Sequence, residues 1–281
     1  MSRKKIERQD VKAELLPGAS VQLMKELHLL TRDGDLNADA RRKLKQINHL
    51  IGLLRPALDD VLARYPEPII IDAGAGNGYL GFLIVELILK PAGRGLLYAV
   101  ESKPELASRA HERAQRLGLG AHFKVVGSEL EHSELPERAH LVVALHACDT
   151  ATDDALIIAL EKNADHIAVV PCCQAEVAEQ LRLHPPEAPG MAALAQHAWH
   201  RRELGSHLTN VIRALVLESR GYKVTVTELV GLEHSLKNEL ILGKRVQRFD
   251  AKAEKALEEL LAATGVGPKL VRVLEGWPRQ N

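Results

Sequence analysis

The run Asp72-Ala-Gly-Ala-Gly-Asn-Gly78 sets a carboxylate two residues ahead of three glycines at alternate positions. Glycines there permit backbone angles that other residues resist, and they let a ligand lie against the main chain near a helix N-terminus. The spacing G-x-G-x-G departs from the dinucleotide pattern G-x-G-x-x-G, and no Lys-Ser/Thr pair follows, which excludes a P-loop. An acidic residue at the strand end suits a ligand carrying an ammonium or sulfonium rather than a pyrophosphate. The next apolar run, Gly95-Leu-Leu-Tyr-Ala-Val-Glu101, ends in a second carboxylate, which suits a ribose diol. A separate cluster lies further on. His146, Cys148 and Asp149 follow one apolar run, and Cys172 and Cys173 follow another. His146 and Asp149 are candidate proton acceptors for an attacking hydroxyl or amine.

Those groups need a scaffold that delivers them to strand ends. Ile69, Ile70 and Ile71 read as a strand buried on both faces. Further strands are expected over 95–101, 121–126, 139–146 and 165–170, with helices over about 78–90, 103–117 and 151–162. This alternation predicts a parallel, doubly wound sheet with ligands outside the C-terminal strand ends. Upstream, residues 19–30 predict a helix. Asn37 is a candidate N-cap for a long one from Ala38 to about Tyr65, kinked or split at Pro56. After Pro171 the alternation stops. Helices are expected over 174–184, Met191–His200 and Ser206–Gly221, broken by a Pro-rich loop at 185–190. Strands over Tyr222–Val230 and Glu239–Val246 would complete seven, the last hairpin antiparallel, before a helix over Ala251–Thr264. The expected division is an N-terminal helical extension (1–66), a central domain (67–249, with an insertion at about 174–205) and a C-terminal helical tail (250–281).

Composition narrows the partners. Of 281 residues, 37 are Lys or Arg and 37 are Asp or Glu, so no strong global field steers nucleic acid. Aromatics are 3%, which leaves few stacking platforms for broad single-strand binding. Local basic clusters remain at Arg41, Arg42, Lys43 and Lys45, at Arg201-Arg202 and at Lys244-Arg245; each reads as a phosphate contact or as plain solvated surface. Three cysteines make no disulfide framework, and no signal peptide or membrane-length apolar run is evident. The expectation is a reducing, cytoplasmic compartment.

The motif Asp-x-Gly-x-Gly-x-Gly with a second-strand Glu resembles class I S-adenosylmethionine-dependent methyltransferases. Leu145-His-Ala-Cys-Asp-Thr-Ala-Thr-Asp-Asp-Ala-Leu156 with Pro171-Cys-Cys-Gln174 is similar to a bacterial family of that class, and more distantly to tRNA ribose 2′-O-methyltransferases. Lys45-Gln-Ile-Asn-His-Leu50, Leu208-Thr-Asn-Val-Ile-Arg-Ala-Leu215, Gly221-Tyr222 and Glu233-His-Ser-Leu-Lys-Asn238 extend the resemblance over about residues 40–245. Asp149 stands where the tRNA-type motif has Gly, and the Cys/His zinc modules of those enzymes are missing. The fold implied is α/β, a Rossmann-like class I methyltransferase. Its seven-stranded, mostly parallel sheet has helices on both faces.

The resemblance implies roles. Asp72 and the turn Gly74, Gly76, Asn77, Gly78 would hold the methionine end of S-adenosylmethionine. Glu101 would accept from the ribose hydroxyls, and Ser128 or Glu129 would meet the adenine; for Glu129 a solvated loop charge is the other reading. Asp149 and His146 are the catalytic candidates. Asp149 could instead cap the helix starting near Thr152, and His146 could be a packed core histidine. The cysteines carry three readings: a pocket wall, a thiolate that attacks cytosine C6, or a zinc site, for which no C-x-x-C spacing exists. No metal is assigned. Substrate contacts are expected from Lys45, Gln46, His49, Cys172, Cys173, Glu233, His234, Lys237 and Asn238, with RNA as the candidate partner. Alternatives are a small-molecule or protein acceptor, or a non-catalytic S-adenosylmethionine-binding module.

Overall fold

The computed structural model describes residues 18–30, 38–145, 147, 149–171, 175–229, 239–246 and 249–277; in the long helix the side chains at 38–40, 42, 43, 45 and 46 lie outside that description. The chain falls into two compact units, Met1–Leu135 and Pro136–Asn281. Its seven strands form one sheet in the order β3-β2-β1-β4-β5-β7-β6.

The first unit begins with helix α1 (Val21–Glu26), N-capped by the Ser20 hydroxyl, which accepts from Leu23 N–H at 3.0 Å. Helix α2 (Ala38–Arg64) follows. It buries Leu44, Leu50, Ile51, Leu54, Leu58 and Val61 along one stripe. Pro56 lies inside it without splitting it. Both Pro56 and Gly52 are exposed, so the carbonyl that loses its helical partner faces water. Strands β1 (Ile69–Ala73), β2 (Leu96–Val100) and β3 (Phe123–Val126) pair in parallel, with Asp72 opposite Ala99. Between β1 and β2 runs helix α3 (Tyr79–Ile84), which continues through a π-helical turn, Val85–Leu89, and a last α turn, Lys90–Ala92. Helix α4 (Pro104–Arg116) joins β2 to β3.

The π turn was not legible in the sequence. It presents Glu86, which is buried and accepts from Ser20 N–H at 2.9 Å and from the Ser20 hydroxyl at 2.6 Å. Glu26 of α1 also receives both guanidinium arms of Arg116, at 3.0 and 2.9 Å. The short helix ahead of the sheet is thus fastened by charge-assisted bonds at both its ends.

In the second unit β4 (Leu141–Ala144) and β5 (His166–Val169) are parallel and fully buried. This is why both read as unbroken apolar runs. Helix α5 (Thr150–Glu161) joins them. Helices α6 (Glu176–Leu183), α7 (Pro189–Ala195) and α8 (Ala198–Ser219) form the insertion. Strand β7 (Glu239–Arg245) pairs antiparallel with β5 and with the edge strand β6 (Tyr222–Glu228). Helices α9 (Ala251–Thr264) and α10 (Lys269–Leu274) close the unit.

The expected pair of helices at 191–200 and 206–221 is corrected here. Residues 198–219 are one helix, and Gly205, in the stretch expected to separate two, is a crossing point. A Cβ on Gly205 would lie 2.8 Å from the backbone of Ala178 in α6, so glycine lets the two helices touch.

Candidate functional site

The glycine turn sits in the first unit at the end of β1. Gly74, Gly76 and Gly78 have φ of 70°, 57° and 72°. These left-handed angles are the reason for glycine at alternate positions. Gly78 is constrained twice, because a Cβ there would lie 2.7 Å from the Phe82 ring. The turn is tied down by Ala75 N–H donating to Val100 O (2.9 Å) and Gly78 N–H to Ala75 O (2.8 Å).

Two buried carboxylates flank the turn. Glu101 accepts from Gly76 N–H at 2.7 Å and from Lys103 N–H at 2.9 Å, one bond to each oxygen. It therefore couples the turn to the end of β2, and each oxygen keeps a lone pair for a further donor. Asp72 is 2% exposed, and its Oδ2 is buried with no hydrogen-bond partner among the described residues. Burial pushes this carboxyl up to about 7; the Glu101 charge adds to the rise and the Gly81 N–H opposes it. A buried carboxylate oxygen without a partner, beside a glycine turn, is a group that a cationic ligand could satisfy. Gly81 completes the packing: a Cβ there would lie 2.9 Å from Asp72 Oδ2, 3.1 Å from Phe123 and 3.2 Å from Leu97.

Arg113 was not anticipated. Although 8% exposed, it donates to Asn77 O at 2.7 Å, lies 5.6 Å over the Phe82 ring and faces Glu26 at 3.6 Å. Phe82 in turn stacks on Phe123 at 4.3 Å. The turn thus rests on an Arg-Phe-Phe column drawn from α4, α3 and β3. Only the position of Arg113 on the inner face of an otherwise polar helix hints at this in the sequence. Of the other expected cofactor groups, Ser128 is half-buried with an Oγ that has no hydrogen-bond partner among the described residues, and Asn77 and Glu129 are exposed.

In the second unit the β4-end segment turns sharply. Asp149 has φ 52° and ψ −120°, a conformation that favours glycine. Its carboxylate does not cap α5, which was one of the two expectations. Oδ1 accepts instead from Ala175 N–H (2.9 Å) and Glu176 N–H (3.3 Å), at the start of α6. Its carbonyl accepts from Thr152 N–H (3.2 Å) and from Arg213 Nη2 (2.8 Å). Arg213 and Asp153, both 1% exposed, pair at 2.7 Å. Burial raises the Asp153 carboxyl, and Arg213 pulls against that rise. Arg213 Nη1 donates to Asn210 Oδ1 (3.1 Å), and Asn210 Nδ2 donates to Glu239 Oε2 (2.9 Å). The Asp-Thr-Ala-Thr-Asp and Thr-Asn-Val-Ile-Arg motifs therefore meet in one buried polar network, a link that the sequence reading did not draw.

The remaining expected residues divide. His146, Cys148, Cys172, Cys173, Glu233, His234, Lys237 and Asn238 lie outside the described residues. Lys45 and Gln46 are on α2, but their side chains are outside the description, and His49 is exposed on the same helix. Arg201 donates to Ala195 O and Gln196 O, closing α7, and Arg245 donates to Asn163 Oδ1. Both therefore do structural work. Among the described residues no cluster of three or more His, Cys, Asp or Glu could hold a metal.

Residues 42–180 match a family described as "Methyltransferase domain". The "Glutathione S-transferase C-terminal domain-containing protein" of Bos taurus is 24% identical over 233 residues, 75% of this chain and 35% of that protein. The chain thus spans 35% of the length of that curated relative. A shorter stretch is 33% identical over 82 residues to "Protein-L-isoaspartate O-methyltransferase" of Staphylothermus marinus, covering 28% of this chain and 34% of that one. Among solved structures, a methyltransferase of Podospora anserina bound to S-adenosylhomocysteine is similar with TM-score 0.47 and 12% identity, covering 85% of this chain and 93% of that one.

Proposed function

We propose that this chain is an S-adenosylmethionine-dependent methyltransferase acting on RNA, at a ribose 2′-hydroxyl or a base of tRNA or rRNA. One observation carries the cofactor reading. Two buried carboxylates flank a left-handed glycine turn, and one of them, Asp72, has an oxygen without a hydrogen-bond partner among the described residues. A ligand with an ammonium, a sulfonium and a ribose answers each of these groups. Asp72 would neutralise the cationic end, the turn would receive the methionine portion, and Glu101 would accept ribose hydroxyls on its remaining lone pairs. The unpartnered Ser128 Oγ is available to the adenine. When bound, S-adenosylmethionine supplies an electrophilic methyl group. The chain's own work is then to orient the acceptor and to take its proton.

For the proton, His146 and Asp149 remain the candidates. Asp149 Oδ1 is occupied by two backbone N–H groups, so a catalytic role falls to its other oxygen. The acceptor class rests on the likeness of the Leu145–Leu156 and Pro171–Gln174 motifs to RNA ribose methyltransferases. A second reading, a carboxyl of a protein or small molecule, is favoured by the local similarity to the isoaspartate O-methyltransferase. We further propose a reducing, cytoplasmic compartment, which three cysteines without a disulfide framework support.

The test is calorimetric titration of S-adenosylmethionine and S-adenosylhomocysteine into wild type and Glu101→Ala. Wild type is then incubated with methyl-labelled S-adenosylmethionine and fractionated cell extract. Binding lost in the variant, with label entering RNA, supports both parts. Label in protein or metabolites discards RNA and keeps the cofactor. No binding by wild type refutes the whole reading.

A further inference from the structure

Asp149 occupies a backbone conformation that costs on the order of 1–3 kcal/mol for a residue with a side chain, and such strain persists only where the surroundings over-determine it. Five hydrogen bonds do so here. Arg213 Nη2 and Thr152 N–H hold its carbonyl, Ala175 N–H and Glu176 N–H hold its carboxylate, and Thr152 Oγ donates to Ala147 O at 2.6 Å one step earlier in the turn. Arg213 is the hub. Its fork satisfies Asp153 with Nε, Asn210 with Nη1 and the Asp149 carbonyl with Nη2, while the side chain is 1% exposed. Asn210 then passes the restraint to Glu239, the first residue of β7. An arginine buried only for stability would be a poor choice, since an apolar trio of the same volume serves as well or better. A planar group that fixes three partners at once is a device for geometry.

We propose that Arg213, extended through Asn210 to Glu239, is the positioning residue of the acceptor side. It would set the β4-end turn carrying Asp149 in register with the start of β7, at the far end of the 229–238 connection. The inference rests on the methyltransferase reading above and names neither Arg213 nor Glu239 as a group that touches substrate. A lysine in place of Arg213 can still meet Asp153, but its single ammonium cannot reach the Asn210 oxygen and the Asp149 carbonyl as a fork. Glu239→Ala removes the far end of the chain of bonds, whereas Glu239→Gln keeps the accepting oxygen.

The experiment uses the full chain and the variants Arg213→Lys, Glu239→Ala and Glu239→Gln, all well below their melting temperatures. Three quantities are read: kcat and KM for label transfer to unfractionated RNA, the S-adenosylmethionine Kd, and amide hydrogen exchange at Thr152, Ala175 and Glu176. Arg213→Lys and Glu239→Ala are expected to lower kcat by on the order of 10–100-fold, the cost of a misplacement near 1 Å. KM and Kd should stay within about twofold of wild type. Exchange should quicken at those three amides and not in the turn 74–78, and Glu239→Gln should recover most of the loss. Quickened exchange with unchanged kcat would reduce the network to a structural one and overturn the proposal, as would unchanged exchange. If wild type labels no RNA, the acceptor class above falls, and kcat is then read on whichever fraction takes the label, with the same comparison deciding this inference; if no fraction is labelled, the inference falls with the methyltransferase reading.

Discussion

Replacing Asp72 by Asn tests the electrostatics of the glycine-turn site most directly. In the folded chain the Asp72 carboxyl is raised from its ordinary 3.8 to about 7, chiefly by burial. A carboxyl raised on folding holds its proton more tightly in the native state. Its contribution to stability is complete below pH 3.8 and is lost as pH rises through about 7. At about 1.4 kcal/mol per tenfold, the full loss is about 4 kcal/mol, of which about 3 kcal/mol falls between pH 5 and 8. Asn cannot ionise, so Asp72→Asn escapes this loss while keeping the shape. The assay is urea denaturation of both proteins from pH 5 to 8.5. Titrations common to the two cancel in the difference, and the variant should gain on wild type by about 3 kcal/mol across that range. Binding of S-adenosylmethionine should show the mirror image. Wild-type affinity should climb about tenfold per pH unit up to neutrality and then level, because the cation needs the ionised carboxylate, and the variant should bind weakly with a flatter profile. A stability difference that does not change with pH would refute the burial argument.

Substitutions at three other positions probe the supports. Gly78→Ala meets both a φ of 72° and the Phe82 ring at 2.7 Å; it should cost about 2–4 kcal/mol in urea melts and depress cofactor binding with it. Ser20→Ala removes the α1 cap and one donor to buried Glu86; a loss of about 1–2 kcal/mol in the same assay is expected. Asp149→Ala keeps the strained backbone and loses the bonds to Ala175 and Glu176, whereas Asp149→Gly loses the bonds but relieves the strain. The Gly variant should therefore melt above the Ala variant by about 1 kcal/mol or more.

Much of the architecture could be read from the chain. Ile69–Ile71 and the β4 and β5 runs are buried on both faces, and sequence reports two-sided burial directly as an unbroken apolar string. Asp72, the three glycines and Glu101 were equally legible, because a left-handed turn with a carboxylate on either side leaves a local signature that needs no distant partner. Contacts between remote segments left no such trace. Arg113 against Asn77, Ser20 against Glu86 and Arg213 against the Asp149 carbonyl join residues separated by 36, 66 and 64 positions. Each looks like an ordinary polar residue on its own helix. The gap expected between residues 200 and 206 failed for the same reason: only the approach of Ala178 shows that Gly205 lets two helices cross there. Asp149 is the sharpest case. Its departure from Gly was visible in the motif, but its meaning was not. Only the folded chain supplies the N–H groups of residues 175 and 176 and the Arg213 fork that hold a side-chain-bearing residue in a glycine's conformation. Sequence by itself determined the elements and the local glycine turn, since both follow from short-range pattern and backbone sterics. Tertiary structure decided which charges are buried together, since burial and pairing belong to no single segment.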